Sequence, residues 1–170
     1  MLGNDLARIF KVVEKRLKSI EVNSIQQLAY EMLPPSPVGN PALWKNQSNA
    51  RWMIKQGYVG GKFKATWEVG IDALQIDWTK ANYKFMKGGV HSVMPSIDRT
   101  GLAAMTRISA ELKGIDSIGH VYHIANQLPY ANRLAKGWST QAPDGWVRDI
   151  AVMRFNGIVA NAAAKARSLY

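Results

Sequence analysis

Some of the residues in this chain are of types that can do chemistry, and their spacing says whether they do. His120 and His123 are the one close pair of imidazoles, and imidazole is both the usual proton shuttle near neutral pH and the commonest metal ligand. On a strand, an offset of three sends the two rings to opposite faces. No carboxylate or third ligand accompanies them, whereas catalytic zinc normally takes three protein ligands. The spacing therefore argues against a metal site. Gly60-Gly61-Lys62 has the composition of a phosphate loop, but that loop needs two glycines separated by four residues, then lysine and a hydroxyl residue opening a helix. Here a strand pattern follows, so the glycines read as a tight turn feeding it. Asp72 and Asp77 would be a pair for general acid–base work, yet their odd offset and the lack of a matching partner make them solvated carboxylates. The serines have no nucleophile-elbow context. An enzyme is not expected, and no cofactor is expected.

The elements around these residues read as an α+β domain. From Asp5 to Met32, Leu6, Ile9, Phe10, Val13, Leu17 and Ile20, then Ile25, Leu28, Ala29 and Met32, recur at helical spacing. The phase slips near Glu21-Val22-Asn23-Ser24, which reads either as a kink or as a break with Ser24 capping a second helix. Pro34, Pro35, Pro37 and Pro41 then forbid helix, and an irregular arm is expected over about 33–61. Residues 62–72 alternate: Phe63, Ala65, Trp67, Val69 and Ile71 against Lys62, Lys64, Thr66, Glu68 and Asp72. That period suits an antiparallel sheet with one solvated face, so a long N-terminal helix, a middle helix and a C-terminal helix pack on the other. Residues 75–95 suggest an irregular strand or hairpin. Asp98 to Lys113 reads as the middle helix, ended by Gly114 in a left-handed conformation. His120 to Asn126 reads as a short strand. A final helix over about 145–168, capped by Asp144, turns Val147, Ile150, Ala151, Phe155, Ile158 and Ala162 inward.

The chain has 170 residues, with 22 basic and 12 acidic side chains, a formal charge of +10 and no cysteine. One globular domain, 1–170, fits that length. The lack of cysteine excludes a disulfide framework, a thiolate zinc site and a cysteine nucleophile, and suits assembly in the cytoplasm. No apolar run is long enough to cross a bilayer, and Asp5 and Glu14 interrupt any signal-like start, so no membrane partner is expected. The charge favours polyanionic partners. Lys45, Arg51, Lys55, Lys62 and Lys64 fall in a stretch with no acid, in segments that do not form one recognition helix.

The aromatic residues raise a second question. Trp138 and Trp146 lie in or beside a polar, proline-containing loop, where they either anchor an interface or plug the end of the domain's own core. The proline-rich arm, with Pro35, Pro37, Trp44, Trp52 and Tyr58, either packs at home or reaches a neighbour, and its length favours the neighbour. Trp44, Trp52 and Tyr58 beside lysines also admit single-strand stacking, although ordinary packing with solvated lysines explains them better.

Two stretches carry a family resemblance. The first is Ser36-Pro37-Val38-Gly39-Asn40-Pro41 with Gly57-Tyr58-Val59-Gly60-Gly61-Lys62-Phe63-Lys64-Ala65-Thr66-Trp67. The second is Asn126-Gln127-Leu128-Pro129-Tyr130-Ala131, then Gly137-Trp138-Ser139-Thr140-Gln141-Ala142-Pro143 and Gly145-Trp146-Val147. In this order they resemble the tail-completion or neck proteins of tailed bacteriophages, the head-tail connector group that includes the minor tail component of lambdoid phages. The chain departs from that pattern at Gly39-Asn40-Pro41 and at Ala135. The resemblance implies a non-catalytic virion subunit, assembled in the host cytoplasm into a ring of six copies at the head–tail junction. Its partners would be copies of itself, a head-closure or adaptor protein, and tail-terminator or tail-tube proteins. On this reading Pro35, Pro37, Trp44, Trp52, Tyr58, Tyr130, Trp138 and Trp146 are candidates for the contact between copies. Lys45, Arg51, Lys55, Lys62 and Lys64 are candidates for non-specific contact with DNA passing through the lumen. The alternative is a small basic nucleic-acid-binding protein.

Overall fold

A computed structural model describes residues 2–39, 46–55, 60–74, 100–128 and 130–169. The described elements are helices α1 (Leu2–Glu31), α2 (Gln47–Lys55) and α3 (Lys62–Ala65), strand β1 (Trp67–Ile71), helix α4 (Leu102–Lys113), strand β2 (Tyr122–Asn126), and helices α5 (Ala131–Ala135), α6 (Trp146–Asp149) and α7 (Phe155–Leu169). A wider π-helical turn, Ile150–Arg154, joins α6 to α7. The fold is α+β. Its sheet is antiparallel, with Trp67 opposite Asn126, Val69 opposite Ile124 and Ile71 opposite Tyr122.

Helix α1 runs without a break through the point where the apolar phase slips. The polar residues there are satisfied within the helix: Ser24 Oγ donates to the Ile20 carbonyl (2.6 Å) and Asn23 Nδ2 to the Ser19 carbonyl (2.6 Å). Such bonds to the preceding turn satisfy the side chains without ending the helix, at a slight cost in its stability.

The alternating stretch divides in two. Gly60 and Gly61 take φ of +75° and +92°, the turn expected of them, but they lead into the short helix α3 before the strand begins. Thr66 closes α3, its hydroxyl donating toward the carbonyls of Lys62 (3.0 Å) and Phe63 (3.1 Å). Lys64 is consequently buried beside Phe63 instead of lying on a wet strand face. Within β1 the period of two holds, with Trp67 and Val69 buried on one face.

Two apolar clusters hold the elements together. Leu28, Met32 and Leu33 pack with Phe63, Trp67, Ala104, Leu128, Trp146, Ile150 and Ile158. Ala29 packs with Val69, Ile108, Leu112 and Ile115. Both clusters draw on the C-terminal part of α1.

Three boundaries differ from expectation. The arm is not wholly irregular: residues 47–55 contain no proline, the Asn46 side chain accepts the Asn49 N–H (3.0 Å), and α2 forms there. Gly114 stays right-handed (φ −74°), because Ile115 must turn directly into the core. Gly145, not Asp144, precedes the last helical stretch, at φ +72°. Its amide donates to the Ala135 carbonyl (2.9 Å), while the backbone of Asp144 pairs antiparallel with that of Lys136. The inward residues of the final helix are as expected, with Ile150, Ile158 and Ala162 buried. The reading of 75–95, and Asp77 and Asp98, lie outside the described residues.

Candidate interaction surfaces

The two sequence stretches that carry the resemblance meet in space. Trp67 donates its indole N–H to Ser36, the Gly61 N–H donates to the Val38 carbonyl, and the Gln141 side chain accepts the N–H of Val38 (3.0 Å). Trp67 also stacks edge-on against Trp146 (6.1 Å) and Phe63 (5.9 Å). Residues 36–39, 60–67 and 137–146 thus form one junction at the end of the core.

That junction settles where several candidate residues lie. Trp146 is 3% exposed and donates toward the Leu134 carbonyl (3.4 Å), so it plugs its own core and is not free to anchor a neighbour. Pro37 is buried and Pro35 half-buried, because the Ser36 and Val38 bonds fold the start of the arm back onto its own domain. Tyr130 is half-buried against Phe63. Trp138 is different: 65% exposed, it lies under the guanidinium of Arg133 at 5.3 Å. Trp52 is also exposed, on α2. Trp44, Tyr58 and Lys45 lie outside the described residues.

The basic candidates separate as well. Arg51 and Lys55 are exposed on α2. Lys64 points inward, its Nζ near the Pro34 carbonyl (3.4 Å), which takes it out of reach of a polyanion. Lys62 is half-buried, and burial pulls its ammonium down to a pKa of about 8.

His120 precedes β2 rather than lying in it, so the strand-face argument applies only to His123. Asp72, at φ +60°, accepts from His120 Nδ1 (2.8 Å) and from the Val121 N–H (3.0 Å). The Val121 amide and then the imidazole hold its carboxyl below the usual range. Ser117 Oγ lies 3.0 Å from His120 Nε2, which completes the order of a nucleophile–base–acid relay. The neighbouring amides of Gly119 and His120, where an oxyanion would need donors, already donate to Glu21 at 3.1 and 3.2 Å. Burial would raise the Glu21 carboxyl, but these amides and the Tyr122 hydroxyl (2.8 Å) hold it down. Burial and Glu21 together push the Tyr122 hydroxyl up. The cluster fastens the 116–121 loop to α1 and β1. Among the described residues no group of three or more His, Asp or Glu is placed to hold a metal, and no helix is long and apolar enough to cross a membrane.

Periodicity alone could not show that α1 wears its apolar stripe on the outside for its first half. Leu6, Ile9, Phe10, Val13 and Leu17 are all exposed, Phe10 at 69%. Comparison of the chain with family models, curated proteins and solved structures returns no match.

Proposed function

We propose that this chain is a structural subunit of a phage neck or tail end, forming a ring of six copies that completes the tail, joins it to the head and lets DNA through. The observation that carries the reading is the bare stripe on α1, since a solitary domain gains nothing by holding five large apolar side chains in water. The motif resemblance supports the same reading, as does the exposed Trp138–Arg133 pair, whose residue types dominate protein interfaces. The partners would be further copies, a head-closure or adaptor protein, and tail-terminator or tail-tube proteins. The role is non-catalytic, in the virion after cytoplasmic assembly. Arg51 and Lys55 would meet passing DNA through its backbone. Light scattering and electron microscopy of the purified chain, alone and mixed with tail-tube and head-closure partners, test this. Multi-copy rings are expected, and a strict monomer in every mixture would overturn the reading.

The second reading, a small basic nucleic-acid-binding protein, is favoured by Arg51, Trp52 and Lys55 sharing exposed positions on α2. It predicts DNA affinity that Trp52→Ala weakens separately from the lysines, because stacking needs the aromatic ring. Affinity that follows charge and salt alone would leave only the loose contact of the first reading.

A further inference from the structure

Helix α1 outruns the helix that covers it. Arg154, immediately before α7, reaches Glu31 at the end of α1, and the two helices pack along each other, so α7 must run back toward the N-terminus of α1. Its 15 residues span about 22 Å, against about 45 Å for the 30 residues of α1. Past that cover, Leu6, Phe10, Val13 and Leu17 form a ridge at alternating steps of four and three residues, each between 44% and 69% exposed. That spacing is the seam which a second helix covers by interdigitation.

The same chain carries a matching channel. Ile158, Ala162 and Ala166 are the buried face of α7. On the opposite face Gly157, Ala160 and Ala164 repeat the steps of three and four, all exposed. A Cβ placed on Gly157 would meet no atom within 4 Å, and residues 155–164 contain no charge. Large side chains seat best against small ones at facing positions. A heptad ridge can also pair with a copy of itself, but that arrangement would leave the uncharged α7 channel empty.

We propose that the α1 ridge of one copy seats in the α7 channel of the next. Ridge and channel are different surfaces of one molecule, so where the contact is not returned between the same two copies it is head-to-tail, the kind that forms rings when its rotation closes. The proposal rests on the multi-copy reading above and names its contact.

The absence of cysteine makes a direct test possible. Glu14→Cys lies beside the ridge and Asn161→Cys beside the channel, both exposed and outside the packed positions. With a short bifunctional maleimide, a mixture of the two variants should give a covalent dimer, and a chain carrying both should give a ladder. Cross-linking of the Glu14→Cys variant with itself in preference to the mixture would mean ridge-to-ridge pairing and overturn the proposal. Multimers in light scattering without mixed cross-links would overturn it while leaving the multi-copy reading standing. A monomer at every concentration would end both. Gly157→Leu gives an independent check. It fills the channel without a clash inside the monomer, so helicity should be kept while self-association weakens roughly tenfold or more. Unchanged association would overturn the contact.

Discussion

Trp67 donates its indole N–H to the Ser36 hydroxyl across 2.7 Å, and Ser36 in turn donates to the Met32 carbonyl (2.5 Å). This short chain of bonds ties the first residue of β1 to the turn that ends α1, and satisfies polar groups that are otherwise sealed in the core.

Ser36→Ala should therefore cost about 1–3 kcal/mol in urea unfolding, because it strands a buried donor. In a Trp67→Phe background the same change should cost clearly less, since no indole N–H is left waiting. Equal costs in the two backgrounds would show that the bond contributes nothing.

Two glycines should respond to alanine with opposite signs. At Gly60, φ is +75° and a Cβ would lie 2.5 Å from the Val38 carbonyl oxygen, so Gly60→Ala should destabilise by about 1–3 kcal/mol. At Gly157 a Cβ meets open space inside α7, and Gly157→Ala should stabilise by up to about 1 kcal/mol. Thermal melts of the two variants should move in opposite directions.

The two loop tryptophans should separate just as sharply. Trp146, 3% exposed among Leu134, Trp67 and Ile150, should cost about 3–5 kcal/mol as Trp146→Ala. Trp138, 65% exposed with Arg133 over its ring, should cost no more than about 1 kcal/mol. Denaturant midpoints decide it, and a large loss at Trp138 would show that its ring is packed.

Lys62 should mark the alkaline side of the stability curve. Its ammonium has a pKa of about 8 in the folded chain against an ordinary 10.5, so between those values the unfolded chain binds more protons. Stability should then rise as pH climbs through that window. Lys62→Met should remove the rise. Near pH 8 the Lys62 amine should also acylate faster than the exposed lysines, which mass spectrometry of briefly acetylated protein would read.

Much of the fold follows from periodicity that involves only neighbours along the chain. The three- and four-residue spacing from Leu6 to Met32 specifies α1, the prolines after Leu33 stop it, and the alternation of Trp67 and Val69 places β1. The period of a segment says that it has an apolar face and nothing about what meets that face. Only the tertiary structure decided that α7 is half the length of α1, so that Leu28 is buried and Phe10 is bare. It also decided that Trp146 turns inward while Trp138 turns out, that Lys64 is sealed beside Phe63, and that Asp72 finds His120 across 48 positions. Each of these outcomes depends on surfaces brought together from distant parts of the chain, which no local pattern encodes.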